Sequence, residues 1–211
     1  VQAPELRQQG DALLLGWQLS PTAQDDAVQV DIYRSSYDPQ DECPECFDRS
    51  TLLVTINPEL PQPALFSEKR YLLFDRQLQA GRGYQYKLIV RNSDGALSRP
   101  LILRQNYNEP VPAPVQFTAE SRDRSVRLQW QAPTLAQGDQ LLGYLLYRHS
   151  GTPTRLYSLN EQPLTETTYE DFSLKNGTRY HYRLRALVQR GKQQFESLAT
   201  DELSVTPKAG I

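Results

Sequence analysis

Apolar and polar residues alternate along most of the chain, at the period of two that is typical of β-strands with one buried face. In residues 84–90 every second position is apolar, which places two tyrosines, a leucine and a valine on one face. Residues 13–17 repeat the pattern and predict that Trp17 faces inward. No segment has the 3.6-residue period of an amphipathic helix. The pattern therefore predicts an all-β protein.

One motif occurs twice and divides the chain. Leu-x-x-Gly-x-x-Tyr-x-Tyr occupies residues 78–86 and returns at residues 174–182. In each copy Leu ends a strand, Gly permits a turn and the first Tyr enters the next strand, a spacing that predicts a tyrosine corner. The hydroxyls of Tyr84 and Tyr180 are then expected to bond a backbone group a few residues upstream. The repeat predicts two domains of about 100 residues each.

The predicted strands follow the same order in both halves of the chain. The first half has strands within residues 4–17, around a turn at 9–11, and at residues 30–33, 51–56, 71–74, 84–90 and 100–103. The second half has strands at residues 115–117, 126–130, 144–147, 154–159, 169–174, 180–186 and 203–205. Three prolines within residues 106–114 favour extended backbone and remove sheet hydrogen bonds. We therefore predict domains at residues 1–105 and 115–211, joined by a short, stiff linker at 106–114.

These motifs resemble those of tandem fibronectin type III domains over nearly the whole chain. The shared features are Trp17 and Trp130, Tyr33-Arg34 and Tyr147-Arg148, Leu73-x-Asp75-x-x-Leu78 and Tyr169-x-Asp171-x-x-Leu174. The resemblance implies two consecutive seven-stranded immunoglobulin-like β-sandwiches. The compact form Tyr-x-Leu-Tyr-Arg is most similar to exported bacterial members, which occur in surface lipoproteins, in adhesins and as spacers in polysaccharide-degrading enzymes.

What the resemblance implies about function is a non-enzymatic binding or structural module without a cofactor. It implies an extracytoplasmic location, in the periplasm, in an outer membrane lipoprotein or at the cell surface. Attachment to a membrane is expected only through an N-terminal lipid outside this chain. The net charge of −2 gives no basic excess of the kind that nucleic-acid-binding domains carry, so we predict no nucleic acid partner.

The first half is longer than the second between equivalent positions. Tyr33 and Tyr84 are 51 residues apart, whereas Tyr147 and Tyr180 are 33 apart. Of the 18 extra residues, 11 are assigned between the third and fourth strands, in the insertion at residues 37–50, and seven between the fourth strand and the corner. The insertion contains both cysteines of the chain.

Three chemistries are open for Cys43 and Cys46. A disulfide is expected from the export that the resemblance implies, and closing so short a loop stabilises by at most roughly 2 kcal/mol. A redox pair would need a helix N-terminus in a βαβ setting, which the sequence does not predict. Zinc would need two further ligands, and the histidines His149 and His181 are both predicted in the other domain. Phe47 stands where covalent haem attachment needs His, so haem is excluded. We assign no metal or cofactor.

The inserted loop also carries a candidate partner-binding surface. Its acidic residues are Asp38, Asp41, Glu42, Glu45 and Asp48, opposed only by Arg49. They are interpreted either as solvated loop charge or, together with Phe47 at the loop tip, as a contact surface for another protein.

A complementary basic face is predicted on the second domain. If the core-facing residues of the strand that follows the second corner point inward, Arg179, His181, Arg183 and Arg185 alternate outward, with Tyr147 on the neighbouring strand. This face is interpreted as a solvated surface, a docking site for an acidic partner or a site for an anionic glycan. We hypothesise protein contact, including head-to-tail self-association of loop and basic face, with a glycan-binding accessory module as the alternative.

Overall fold

A computed structural model of the protein describes residues 1–20, 26–40, 49–151 and 158–209. Its internal contacts divide the chain into unit 1 (Val1–Glu109) and unit 2 (Pro110–Ile211). All helical or extended structure in the described residues is β-strand, which confirms the predicted all-β class. Within the same residues no helix is long and apolar enough to cross a membrane.

Unit 1 is a sandwich of two antiparallel sheets. Its strands are β1 (Gln2–Gln9), β2 (Ala12–Gln18), β3 (Ala27–Tyr37), β4 (Thr51–Ile56), β5 (Leu65–Ser67), β6 (Arg70–Asp75), β7 (Gly83–Asn92) and β8 (Leu101–Asn106). Neighbouring strands follow the order β1-β2-β6-β5 in one sheet and β4-β3-β7-β8 in the other. The alternating apolar residues of both sheets meet in one core, where Trp17, Ile32 and Tyr86 are completely buried.

Unit 2 repeats this architecture. Its described strands are β9 (Val115–Arg122), β10 (Ser125–Gln131), β11 (Asp139–His149), β12 (Thr168–Asp171), β13 (Tyr180–Arg190), β14 (Gln193–Glu196) and β15 (Leu203–Val205). One sheet has the order β12-β10-β9, and in the other β13 pairs with β11, β14 and β15. Trp130, Leu146 and Tyr182 lie in the core between the sheets.

The predicted linker at residues 106–114 contributes to both units. Tyr107 lies in the core of unit 1, and its backbone bonds Gly81 and Arg82 beside the first corner. Val111 lies in the core of unit 2, where its carbonyl accepts a hydrogen bond from the N–H of Leu198 at 2.9 Å. Apolar side chains within the proline-rich stretch therefore anchor it to the two cores, and the units divide between residues 109 and 110.

Both predicted tyrosine corners form. The N–H of Gln79 donates to the hydroxyl of Tyr84 at 2.7 Å, and the N–H of Lys175 donates to the hydroxyl of Tyr180 at 3.0 Å. The glycine of each motif has φ of 81° or 79°, in the left-handed region that residues with a Cβ rarely adopt. The turn therefore needs glycine for its backbone conformation.

A buried carboxylate links the two sheets of unit 1. Asp75 ends β6 in one sheet and accepts two hydrogen bonds from Arg34 Nη1 of β3 in the other, at 2.9 and 2.8 Å. The hydroxyl of Tyr86 on β7 donates to the same carboxylate at 2.7 Å. Burial, followed by the negative charge of Asp75, raises the pKa of Tyr86 well above its ordinary value, so this hydroxyl remains a donor.

Unit 2 contains the same arrangement at equivalent positions. Arg148 Nη1 of β11 donates to both oxygens of Asp171 at 2.7 Å, and the Tyr182 hydroxyl of β13 donates at 2.7 Å. We call each set an inter-sheet clamp: Arg34, Asp75 and Tyr86 in unit 1, and Arg148, Asp171 and Tyr182 in unit 2. In each clamp the Asp and Tyr are 11 positions apart, whereas the Arg comes from a motif 41 or 23 positions before the Asp.

The two units differ in length at the connections around β4. Residues 57–69 join β4 to β6 in unit 1 and contain the short strand β5, which has no counterpart among the described residues of unit 2. The strand predicted at residues 154–159 falls mostly outside the described ranges. So do six residues of the predicted loop site, namely Asp41, Glu42, Cys43, Glu45, Cys46 and Phe47.

Tyr180→Phe should lower the free energy of unfolding of unit 2 by about 1 kcal/mol, because it removes the corner hydrogen bond and keeps the ring. Tyr169→Phe is the matched control, since its hydroxyl has no hydrogen-bond partner among the described residues. Urea unfolding checks both variants. Equal effects of the two substitutions would contradict a stabilising corner bond.

Candidate functional site

The outer face of the β11–β13 ladder carries the side chains that the sequence assigned to a basic face. Tyr147 pairs across the strands with Arg183, and His149 pairs with His181. Arg179 precedes β13 and is exposed. The intervening residues of β13 point into the core, as the alternation predicts. The predicted face therefore exists, and acidic residues from later in the chain join it.

One end of this face is built into the fold. Arg185 Nε lies 3.7 Å from Glu196 Oε2, and Arg185 Nη1 donates to the carbonyl of Ser197 at 2.6 Å. The Tyr147 hydroxyl donates to the same Glu196 oxygen at 2.6 Å. Because the Glu196 side chain is only 4% exposed, these two predicted contact residues hold a buried carboxylate. We therefore interpret Tyr147 and Arg185 as structural residues.

The other end gathers two histidines and a glutamate, which we call the histidine–glutamate cluster (His149, His181 and Glu202). The two imidazole rings stack with centroids 4.7 Å apart and planes inclined by 6°. Glu202 lies immediately before β15 and reaches both rings: its Oε2 is 3.2 Å from His149 Nε2 and its Oε1 is 3.1 Å from His181 Nδ1. One carboxylate thus bridges two ring nitrogens.

Neighbouring groups orient both rings. His149 Nδ1 lies 2.8 Å from the carbonyl oxygen of Gly151, which only accepts hydrogen bonds. Nδ1 of His149 therefore carries a proton, and Nε2 is the nitrogen turned toward Glu202. His181 Nδ1 is also 2.9 Å from the hydroxyl of Ser204, its partner on β15. The contact with Gly151 therefore fixes the orientation of the His149 ring, and the contact with Ser204 fixes that of the His181 ring.

Arg183 adds a positive charge to the cluster. Its Nε lies 3.4 Å from Glu202 Oε2, while its side chain is 55% exposed. The hydrogen bond with His149, together with the charges of Arg183 and the histidines, lowers the pKa of Glu202 below its ordinary value. Glu202 is therefore a stable anion on this face and offsets part of its positive charge.

Sequence reasoning found the histidines but missed the glutamates. Glu202 is 21 positions from His181 and belongs to no repeated motif. The pairing of the histidines has a sequence signal. Arg148 and Tyr182 belong to repeated motifs and pair across the strands, and His149 follows Arg148 while His181 precedes Tyr182. Glu202 joins them only because β15 pairs with the start of β13.

Arg185→Ala should destabilise unit 2 by about 1.5–3 kcal/mol, because it removes hydrogen bonds that involve a charged group beside a buried carboxylate. Arg183→Ala should change the stability by less than about 1 kcal/mol, since its ion pair is solvent-exposed. Urea unfolding of the two single variants compares them directly. The reverse order would contradict the division into a structural end and an available end.

Most of unit 2 matches one family model. Residues 110–202 match the family model for the fibronectin type III domain. The structure of chicken CNTN1 FN1-FN3 domains aligns with 98% of this chain and 66% of that chain, at 15% identity and a TM-score of 0.39.

Two curated relatives share part of the sequence. Fast-type myosin-binding protein C of Gallus gallus is 31% identical over 110 residues, which cover 52% of this chain and 10% of the relative. Exoglucanase B of Cellulomonas fimi is 30% identical over 146 residues, which cover 64% of this chain and 13% of the relative. The chain thus spans about a tenth of the length of these relatives. Residues 110–202, which include the corner and clamp of unit 2, are therefore similar to a fibronectin type III domain.

Proposed function

We propose that the chain is a non-enzymatic binding or structural module that contacts another protein. Fibronectin type III domains commonly mediate protein–protein contact, and the match of residues 110–202 to that family supports this role. Myosin-binding protein C is, by its name, a protein that binds another protein. Exoglucanase B is named as an enzyme, but 87% of its length lies outside the match, so its name does not argue for catalysis here.

The observation that carries the proposal is an exposed apolar edge on unit 1 (Leu60, Leu65 and Phe66). All three residues lie on the connection that is longer in unit 1, and Leu60 is 75% exposed. Among the described residues of unit 1, strand β5 is the last strand of its sheet and pairs with β6. Phe66 is 48% exposed while its ring contacts Tyr71 at a centroid distance of 4.7 Å.

An apolar strand edge suits a protein partner better than a sugar. A second polypeptide can lie along the last strand of the sheet and cover the exposed apolar side chains, as extended peptides do when they add to sheets. Isolated exposed apolar residues are ordinary, whereas three within seven positions of one connection form a candidate contact surface. The basic face of unit 2 supports the glycan alternative less, because Glu196 and Glu202 pair with its arginines.

The location is part of the proposal. We infer export to the periplasm or cell surface from the resemblance to bacterial exported tandems, with a lipid anchor outside this chain. Self-association is the simplest form of protein contact. The acidic loop at residues 41–48 remains a proposed contact with the basic face of a second copy, because the two carry opposite charges. Protease accessibility of the natural full-length protein in intact cells tests the location separately from binding.

Phe66→Asp should weaken partner capture by the biotinylated full chain by about tenfold or more, because it places a charge on the apolar edge. The matched control is Leu97→Asp, on the connection between β7 and β8 of the same unit, where the leucine is 57% exposed. Quantitative mass spectrometry of captured proteins, and sedimentation for a second copy, measure the loss.

Two results would contradict the proposal. Capture that is unchanged by Phe66→Asp, or reduced equally by Leu97→Asp, would show that the apolar edge is not the contact surface. Binding on a glycan array that persists in Phe66→Asp and disappears in Arg183→Ala would favour the glycan-binding alternative.

A further inference from the structure

We propose that the histidine–glutamate cluster of unit 2 binds a divalent transition-metal ion, with Zn²⁺ as the preferred ion. The ligands are His149 Nε2, His181 Nδ1 and one oxygen of Glu202. This site is separate from the apolar edge of unit 1, and it stands or falls independently of the proposed protein contact.

The three ligand groups already lie close to one another. With Zn–N and Zn–O bonds of about 2.0–2.2 Å, the ligand atoms of a tetrahedral site lie about 3.4 Å from one another. Glu202 Oε2 lies 3.2 Å from His149 Nε2, and the other oxygen, Oε1, lies 3.1 Å from His181 Nδ1. All three ligand atoms lie within 4.8 Å of one another. Small rotations of the side chains therefore suffice to place an ion among them.

The hydrogen bonding of His149 prepares its ligand nitrogen. Because Nδ1 donates to the carbonyl of Gly151, Nε2 is the nitrogen that faces Glu202, and a bound metal ion would take the place of the proton between Nε2 and the carboxylate. A backbone carbonyl behind the far ring nitrogen is also the usual outer partner of a histidine that binds metal.

Paired strands fix the backbone of the two histidine ligands. His149 and His181 are direct cross-strand partners in the long β11–β13 ladder, and Glu202 immediately precedes β15, which pairs with the start of β13. The side chains of His149, His181 and Glu202 are 17%, 22% and 32% exposed, so an ion from solvent can reach them. Ligation should open the 6° angle between the rings, because lone pairs of parallel rings do not converge on one ion.

The donor set selects the class of metal. Two imidazoles and one carboxylate suit Zn²⁺ and other late first-row ions better than Ca²⁺ or Mg²⁺, which prefer oxygen ligands. Three protein ligands leave a fourth position for water or for an acidic side chain of a partner. The charge of Arg183 opposes a cation here, since its Nε is 3.4 Å from Glu202 Oε2.

Titration with ZnCl₂ tests the site, using the full chain without an affinity tag and with Cys43→Ser and Cys46→Ser to remove the thiol ligands. We expect one ion per chain. His149→Ala and Glu202→Ala should each weaken the dissociation constant by about 100-fold or more, because loss of an outer-shell partner alone costs about 10–100-fold. Co²⁺ in place of Zn²⁺ should give the visible absorption of a four-coordinate site in the parent chain and not in either variant.

Arg183→Ala is the matched control, because it keeps all three ligands and removes the opposing charge. It should bind Zn²⁺ as tightly as the parent or more tightly, and amide NMR spectra verify that every variant is folded. No saturable binding of Zn²⁺ by the parent chain would overturn the proposal. Binding that survives both ligand substitutions, or falls equally in Arg183→Ala, would also overturn it.

Discussion

The buried carboxylate at the end of β6 and β12 is the interaction on which each unit depends. Asp75 and Asp171 accept hydrogen bonds from an arginine and a tyrosine of the facing sheet. These directional bonds fix the position of one sheet relative to the other, which non-directional apolar packing does not. A carboxylate that is 3% or 5% exposed is costly to bury, and it persists only when all its partners are present. This mutual requirement explains why the Tyr-Arg, Asp and Tyr-x-Tyr motifs occur together in both halves.

The sequence predicts the scaffold well because its signals are local and repeated. Alternation identifies the main strands, and the spacing of Leu, Gly and Tyr identifies both corners, since each corner forms within nine residues. The clamps join residues up to 52 positions apart, such as Arg34 and Tyr86. Their members are visible as separate motifs, but their contact depends on how the two sheets face each other. Strand β5 escapes prediction because three residues carry too little periodicity.

The candidate sites depend on long-range pairing and are correspondingly harder to predict. Alternation places Arg183 and His181 on the outer face, yet it does not reveal that Glu202 bridges the histidines or that Glu196 holds Arg185. Glu196 ends β14 and Glu202 immediately precedes β15, where no repeat in the sequence fixes their position. The same outer face therefore divides into a structural half around Glu196 and a half around Glu202 where a ligand can bind. Scaffold and binding surface are thus assigned to different residues of one sheet.

A double-mutant cycle on Arg148 and Asp171 tests most directly whether the clamp holds the two sheets together. Urea unfolding, followed through amide NMR signals of unit 2, gives the free energies of the parent, Arg148→Ala, Asp171→Ala and the double variant. We predict a favourable coupling energy of about 1–3 kcal/mol, because each single variant leaves a buried charge unpaired while the double variant leaves none. Additive losses, with coupling below about 0.5 kcal/mol, would contradict the clamp as the constraint on which the sandwich depends.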